Sequence, residues 1–299
     1  MINKNRFTMQ ISWKDVKVVN ETLTSIENAY KYSTVPTEFI LILNGQTKNY
    51  MDTPINDPEE QWIHFMSHPF VKHCEIVHIT DKDPIFGPPC VKREFSIKNG
   101  LNYWGDADCL LPLEYFYISE TFDKQCKTRP YILTFAARKM WGGWEPIEHC
   151  SIQNIKNEDI KDGFMRFADP ISLETLYAFN EKWGDPTIIT IPFVVPGQPL
   201  NTIESPASVL SDQMPDNLYC PDLLIGHDDY CLQWSRLYHK IPQYHVTNIL
   251  KGHHNTSPLK DYNIVRDYTG YRCNMFNDRL NLERELLLKW VGRLFNLPK

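Results

Sequence analysis

Asn102-Tyr103-Trp104-Gly105-Asp106-Ala107-Asp108-Cys109-Leu110-Leu111-Pro112 is a strand-forming aromatic run that ends on two carboxylates one residue apart and then turns apolar again. With Leu101-Asn102-Tyr103-Trp104 as a strand, Asp106 and Asp108 stand at its carboxyl end, and a bend there lets both face one hard cation. Open α/β sheets take their ligands at the carboxyl ends of their strands, so position and chemistry agree. An Asp-x-Asp by itself is also an ordinary solvated turn, and its weight comes from what surrounds it.

Upstream, Phe7 to Trp13 mixes β-branched and aromatic residues and predicts a first strand. Leu23, Ile26, Ala29 and Tyr30 fall at helical spacing, and Thr37 to Leu43 is a continuous apolar strand ending at Asn44-Gly45. A run apolar on both faces suits a buried parallel strand whose crossover helix covers the sheet. Cys74 to Ile79 predicts a third strand, Asp81 to Pro89 a loop, and Val91 to Lys98 a helix, with a short helix over Glu59 to Met66. Downstream, Tyr131 to Phe135 and Thr187 to Ile191 read as strands and Ile171 to Asn180 as a helix, while Val195 to Pro221 is a long aperiodic excursion. Leu280 to Phe295 is an amphipathic helix with Leu287, Trp290, Val291 and Leu294 on its stripe. Strands alternating with helices ahead of Asp106 predict an α/β sandwich, and no linker signals a second domain.

Composition narrows the partners. The 299 residues, 42% hydrophobic and 23% charged, have a globular composition. With 31 Lys+Arg against 37 Asp+Glu, the net charge of −6 argues against a general polyanion binder, whose affinity rests on clustered cations. No apolar run approaches the ~20 residues that span a bilayer. The start of the sequence is too polar for a signal-peptide core, so a cytoplasmic protein is expected. Eight scattered cysteines without a CxxC predict free, mostly buried thiols rather than a zinc or redox site. Trp141-Gly142-Gly143-Trp144-Glu145 suits either stacking on a sugar face or packing of its tryptophans into the core. There is no phosphate loop of the GxxxxGK[ST] type, no GxSxG elbow and no HExxH helix.

Three further stretches order themselves around the Asp-x-Asp. Gly87-Pro88-Pro89-Cys90-Val91-Lys92-Arg93-Glu94 places Arg93 thirteen residues before Asp106, and Leu111-Pro112-Leu113-Glu114-Tyr115-Phe116 opens a helix after it. Gly226-His227-Asp228-Asp229-Tyr230-Cys231-Leu232-Gln233-Trp234-Ser235-Arg236 sets an acidic pair at a helix start, where the helix dipole favours acids in any case. Lys251-Gly252-His253-His254-Asn255 follows a strand-like run from Tyr244 to Leu250.

This order resembles the nucleotide-sugar glycosyltransferases of the GT-A fold, family 2 in particular. The resemblance implies an α/β/α sandwich with a mostly parallel central sheet. It implies a catalytic domain over residues 1–260, with a nucleotide-binding half (1–116) and an acceptor-binding half (117–260), followed by a helical extension over 261–299. It implies metal-dependent transfer of a sugar from a UDP-, GDP- or dTDP-sugar to a hydroxyl acceptor, with inversion, and Mn²⁺ or Mg²⁺ as cofactor. On the same resemblance, Asp108 holds the cation and Asp106 the cation or donor ribose. Arg93 and Asn44, which stands where the family usually has Asp, contact the donor nucleotide. His253 or His254 supplies a late metal ligand, and a neutral imidazole suits Mn²⁺. Asp229, or Asp228 in its place, serves as general base. Two other readings stand beside it. A sugar-phosphate nucleotidyltransferase usually carries glycines after its first strand, where this sequence has Trp13-Lys14-Asp15-Val16-Lys17. A non-catalytic sugar-binding protein on the same fold would have no need of the Asp106, Asp108 and Asp229 carboxylates.

Overall fold

The structure is a computed structural model and describes residues 4–12, 19–46, 62–63, 65–107, 109–139, 144–146, 160–161, 164–166, 173–193, 208–253 and 275–297. Its strands are β1 (Asn5–Ser12), β2 (Thr37–Asn44), β3 (Cys74–Ile79), β4 (Asn102–Asp106), β5 (Cys109–Leu110), β6 (Ile132–Lys139), β7 (Trp144–Pro146), β8 (Ile160–Lys161), β9 (Phe164–Arg166), β10 (Ile188–Ile191), β11 (Val209–Leu210) and β12 (Gln243–His253). Its α-helices are α1 (Val19–Tyr30), α2 (Pro88–Glu94), α3 (Tyr115–Gln125), α4 (Leu173–Trp183), α5 (Asp228–His239) and α6 (Met275–Leu294).

The main sheet has nine strands in the order β10-β12-β6-β11-β4-β1-β2-β3, with β5 paired to the far end of β12. Strands β1, β2, β3, β4, β6 and β12 run in one direction, and β5, β10 and β11 run against them. The sheet is therefore mostly parallel, as expected. Strands β7, β9 and β8 form a small antiparallel sheet of their own.

Period-2 alternation sorts the side chains onto two covered faces. Phe7, Met9, Ile11, Phe39, Leu41, Leu43, Tyr103 and Leu133 pack with Leu23 and Ile26 of α1 and Phe116 of α3. Ile40, Ile42, Trp104, Ile132 and Leu210 point the other way, against Cys90 and Val91 of α2, Cys231 and Leu232 of α5, and Leu287, Trp290 and Val291 of α6. This is an α/β/α sandwich, and the C-terminal helix α6 belongs to the second of its two apolar layers.

Several boundaries differ from the sequence reading. Helix α2 begins at Pro88, inside the expected loop, because proline at the first helical positions has no N–H to lose and a φ already helical. It stops at Glu94, short of Lys98, and the Asn102 side chain takes over by bonding both the N–H and the carbonyl of Ile97, at 2.7 and 2.9 Å. The excursion from Val195 hides β11, two fully buried residues inserted antiparallel between β4 and β6. Only part of the helix expected over Glu59 to Met66 falls among the described residues, and Trp62, Ile63, Phe65 and Met66 there are helical. No helix among the described residues is long and apolar enough to cross a membrane.

Candidate active site

The Asp-x-Asp turn is fixed from the α1 side. Gly105 lets β4 pass over the Phe7 ring, since a Cβ there would lie 2.4 Å from it. The Thr22 hydroxyl donates to the carbonyl of Ala107 at 2.8 Å, and the N–H of Leu111 donates to the Ser25 hydroxyl at 3.0 Å. The segment from Ala107 to Leu111 is thus held at both ends by one turn of α1. At the end of β4, Asp106 is exposed. By period-2 alternation it falls on the parity of Trp104, two residues earlier, and its charge also acts on the buried Tyr115 hydroxyl of α3. Asp108 and His254 lie outside the described residues. Of His253 only the backbone is described, and it pairs with Cys109, the residue that follows the Asp-x-Asp.

A polar row runs beside Asp106 on that face. In the parallel register Gln10 is opposite Asp106 and Asn44 is opposite Ser12. The Gln10 and Asn44 amides both donate to the carbonyl of Phe86, at 3.4 and 2.5 Å, and the Asn44 side-chain oxygen accepts from the N–H of Gln46 at 3.0 Å. The Gln46 amide then donates to Thr80, Asp83 and Pro84 and accepts from the N–H of Phe86. Asn44, expected to contact a donor nucleotide, works through its amide with Gln46 to shape the loop from Thr80 to Phe86 that leads into α2.

Arg93 is likewise engaged. Its guanidinium donates to the carbonyls of Cys220 and Leu223, at 3.0 and 2.7 Å, and to the Cys90 sulfur. It thereby clamps the segment that precedes α5, against which α2 packs. Arg236 is similar: nearly fully buried, it donates to the carbonyls of Ile191 and Pro192 at the end of β10.

The residue next to Arg93 carries a signal the sequence reading missed. The Lys92 ammonium lies 2.5 Å from Asp228 and 3.6 Å from Asp229, the two acids that open α5. Lys92 and Asp228 are 13% and 14% exposed, whereas Asp229 is 62% exposed, so the two acids differ in kind. Burial pushes the Asp228 carboxyl up, and Lys92 draws it back. Burial works against the charge on Lys92, but Asp228, with Tyr219 and Asp229, outweighs it and holds the ammonium well above its ordinary value. Asp228 is therefore a counter-ion, and Asp229 is the acid that faces outward. A lysine next to an arginine near a helix end has no distinctive spacing, which is why only the fold reveals it.

No protein-family model matches the chain, and no curated protein matches it by sequence. Among solved structures it is similar to TarS 1–349 of Staphylococcus aureus, with 11% identity and a TM-score of 0.45 over 98% of this chain and 72% of that one. The same protein in complex with UDP-GlcNAc gives 12% identity and 0.43, over 98% and 73%. The chain is also similar to glucosyl-3-phosphoglycerate synthase from Mycobacterium tuberculosis in complex with Mn²⁺, UDP and glucosyl-3-phosphoglycerate, at 12% identity and 0.44, over 93% and 80%.

Among the described residues no group of three or more His, Cys, Asp or Glu side chains is gathered to hold a metal ion. Asp106 is an exposed carboxylate at the end of β4, of the oxygen-donor type that suits Mn²⁺ or Mg²⁺, and the backbone of His253 pairs with Cys109, three residues on. Among the described residues Cys90, Cys109, Cys220 and Cys231 are buried and Cys74 and Cys126 half-buried.

Proposed function

We propose that this chain is a metal-dependent glycosyltransferase of the GT-A type, acting in the cytoplasm, that moves a sugar from a nucleotide-diphosphate sugar to a hydroxyl acceptor with inversion. The reading is supported by two observations: Asp106 stands exposed at the carboxyl end of a strand in a mostly parallel sheet, and Lys92 of α2 holds the acidic pair that opens α5. Asp106 with Asp108, and His253 or His254, would hold the cation. Bound there, a divalent cation supplies Lewis-acid neutralisation of a diphosphate's charge. Asp229 takes the proton of the acceptor hydroxyl, being the outward-facing acid, while Asp228 stays paired to Lys92. Asn44 and Arg93 serve the donor end indirectly, by setting the loop into α2 and the segment into α5.

The test is donor hydrolysis across UDP-, GDP- and dTDP-sugars, with EDTA and with Mn²⁺ or Mg²⁺ added back. Hydrolysis of one donor class that stops in EDTA and returns with the metal is the expected result. Asp229→Asn should then keep donor affinity while turnover drops by about 10² to 10⁴, the usual worth of a general base. Binding of an NTP in preference to any nucleotide sugar would turn the reading to a nucleotidyltransferase. No metal-dependent binding of either would turn it to a sugar-binding protein without catalysis.

A further inference from the structure

We infer that Glu283, on the C-terminal helix α6, is a positioning residue for the acidic pair that opens α5. The inference rests on the glycosyltransferase reading above for what the pair does, but not for how the pair is held.

The Glu283 side chain is 0% exposed, and its carboxylate accepts from three successive backbone amides. The N–H of Leu224 donates to Oε1 at 3.0 Å, that of Ile225 to both oxygens at 3.2 Å, and that of Gly226 to Oε2 at 3.0 Å. Arg279, one turn earlier on α6, donates to the same carboxylate at 3.0 Å. A buried carboxylate is tolerated only when its lone pairs are filled by such donors, and here most of them come from one short piece of main chain. That piece ends directly before His227, which caps α5 with φ of 60° and ψ of 15°. A histidine in the left-handed region persists only where its neighbours fix it. Glu283 fixes the residues on one side, and the first turn of α5 fixes those on the other. Asp228 and Asp229 follow at once.

The geometry makes a relay of three contacts around one turn of chain. Arg93 holds the carbonyls of Cys220 and Leu223, Glu283 holds the amides of Leu224 to Gly226, and Lys92 holds Asp228. Two of the three come from α2. The third comes from α6, more than fifty residues beyond the segment it holds, and links the C-terminal helix to turnover. Nothing but a carboxylate of this length fills three adjacent N–H groups from that helix: glutamine keeps the volume but turns an N–H₂ toward an N–H, and alanine leaves all three unpaired.

Two measurements test this. The first is native-state hydrogen exchange on the unmodified full chain, with peptides that isolate residues 224–226. Strong protection there, at the level of the sheet rather than of a loop, is expected, and loop-like exchange overturns the proposal whatever the enzyme does. The second is steady-state kinetics of Glu283→Gln and Glu283→Ala on whichever of UDP-glucose, UDP-GlcNAc, GDP-mannose or dTDP-glucose the unmodified chain hydrolyses, with active sites counted by donor binding. The expected result is a kcat per donor-binding site lower by about 10²-fold in the alanine variant, as a displaced catalytic group loses, with the donor KM within about twofold and the glutamine variant between. Phe70→Ala, in the opposite core layer and away from the turn of α1 that holds Ala107 and Leu111, is the control for lost stability alone and should lower the amount of folded protein without lowering kcat per site. A Glu283→Gln kcat equal to that of the unmodified chain, or a loss that matches Phe70→Ala, overturns the proposal. Failure of the glycosyltransferase reading looks different: the unmodified chain then hydrolyses no nucleotide sugar, and the exchange result still stands or falls by itself.

Discussion

Lys92 is where single-residue chemistry is sharpest, because two nearly buried opposite charges stand 2.5 Å apart there. Removing one partner of such a pair leaves the other uncompensated, which costs about 3 to 5 kcal/mol. Lys92→Met should therefore lower stability by that order at pH 8, measured by urea unfolding. The sign with pH follows from burial, which raises the Asp228 carboxyl once its counter-ion is gone. A carboxyl raised on folding costs nothing below its unfolded value and most above its folded one. The variant should thus recover on acidification toward pH 4, and adding Asp228→Asn should remove both the loss and its pH dependence. Cys231 offers a second check. Burial pushes its thiol up to about 12, so at pH 8 it is almost wholly protonated. Iodoacetamide should label Cys231 only after unfolding, as read by peptide mass. Labelling in the folded state would mean that the layer beneath α5 opens.

Among elements, β4 and its surroundings were the most legible. The aromatic run, the glycine and the two acids predict a strand ending in a site, and β4, Asn102–Asp106, overlaps the strand read over Leu101 to Trp104 and extends two residues past it. The acidic helix start at Asp228 was legible for the same local reason, the preference of carboxylates for a helix N-terminus. Strand β11 was not legible. Two residues have no period, and Val209 and Leu210 are buried only because β4 and β6 leave a gap one strand wide between them. Filling that gap makes β11 worth more than its length. Leu210→Ala should cost about 2 to 5 kcal/mol by thermal or chemical melt, as for any large-to-small change in a packed core. A cost well under 1 kcal/mol would mean that the sheet closes without it. Gly105→Ala tests β4 itself. The added Cβ meets the Phe7 ring, and the strand must shift by a fraction of an ångström, at about 1 to 3 kcal/mol.

For the whole molecule, the ring cluster of α1, α3 and the first strands carries the first core layer. Phe116 is fully buried and lies within ring contact of Phe7, Tyr30, Phe39, Tyr103 and Tyr115. Phe116→Ala should cost about 3 to 5 kcal/mol and lower the melting temperature without changing donor specificity, since no ring of the cluster faces the α2 and α5 layer. The second layer closes only when α6 returns, with Leu287, Trp290 and Val291 against residues of α2 and α5. What the amino-acid sequence determined by itself was local: which runs are apolar at period two or near four, where prolines and glycines interrupt them, and where carboxylates gather at element ends. The tertiary structure alone decided which polar groups meet. Arg93 clamps carbonyls, Lys92 binds Asp228, and Asn44 shapes a loop, because a buried polar group must take the partner that chain packing brings within about 3 Å, and that partner has no fixed distance in sequence.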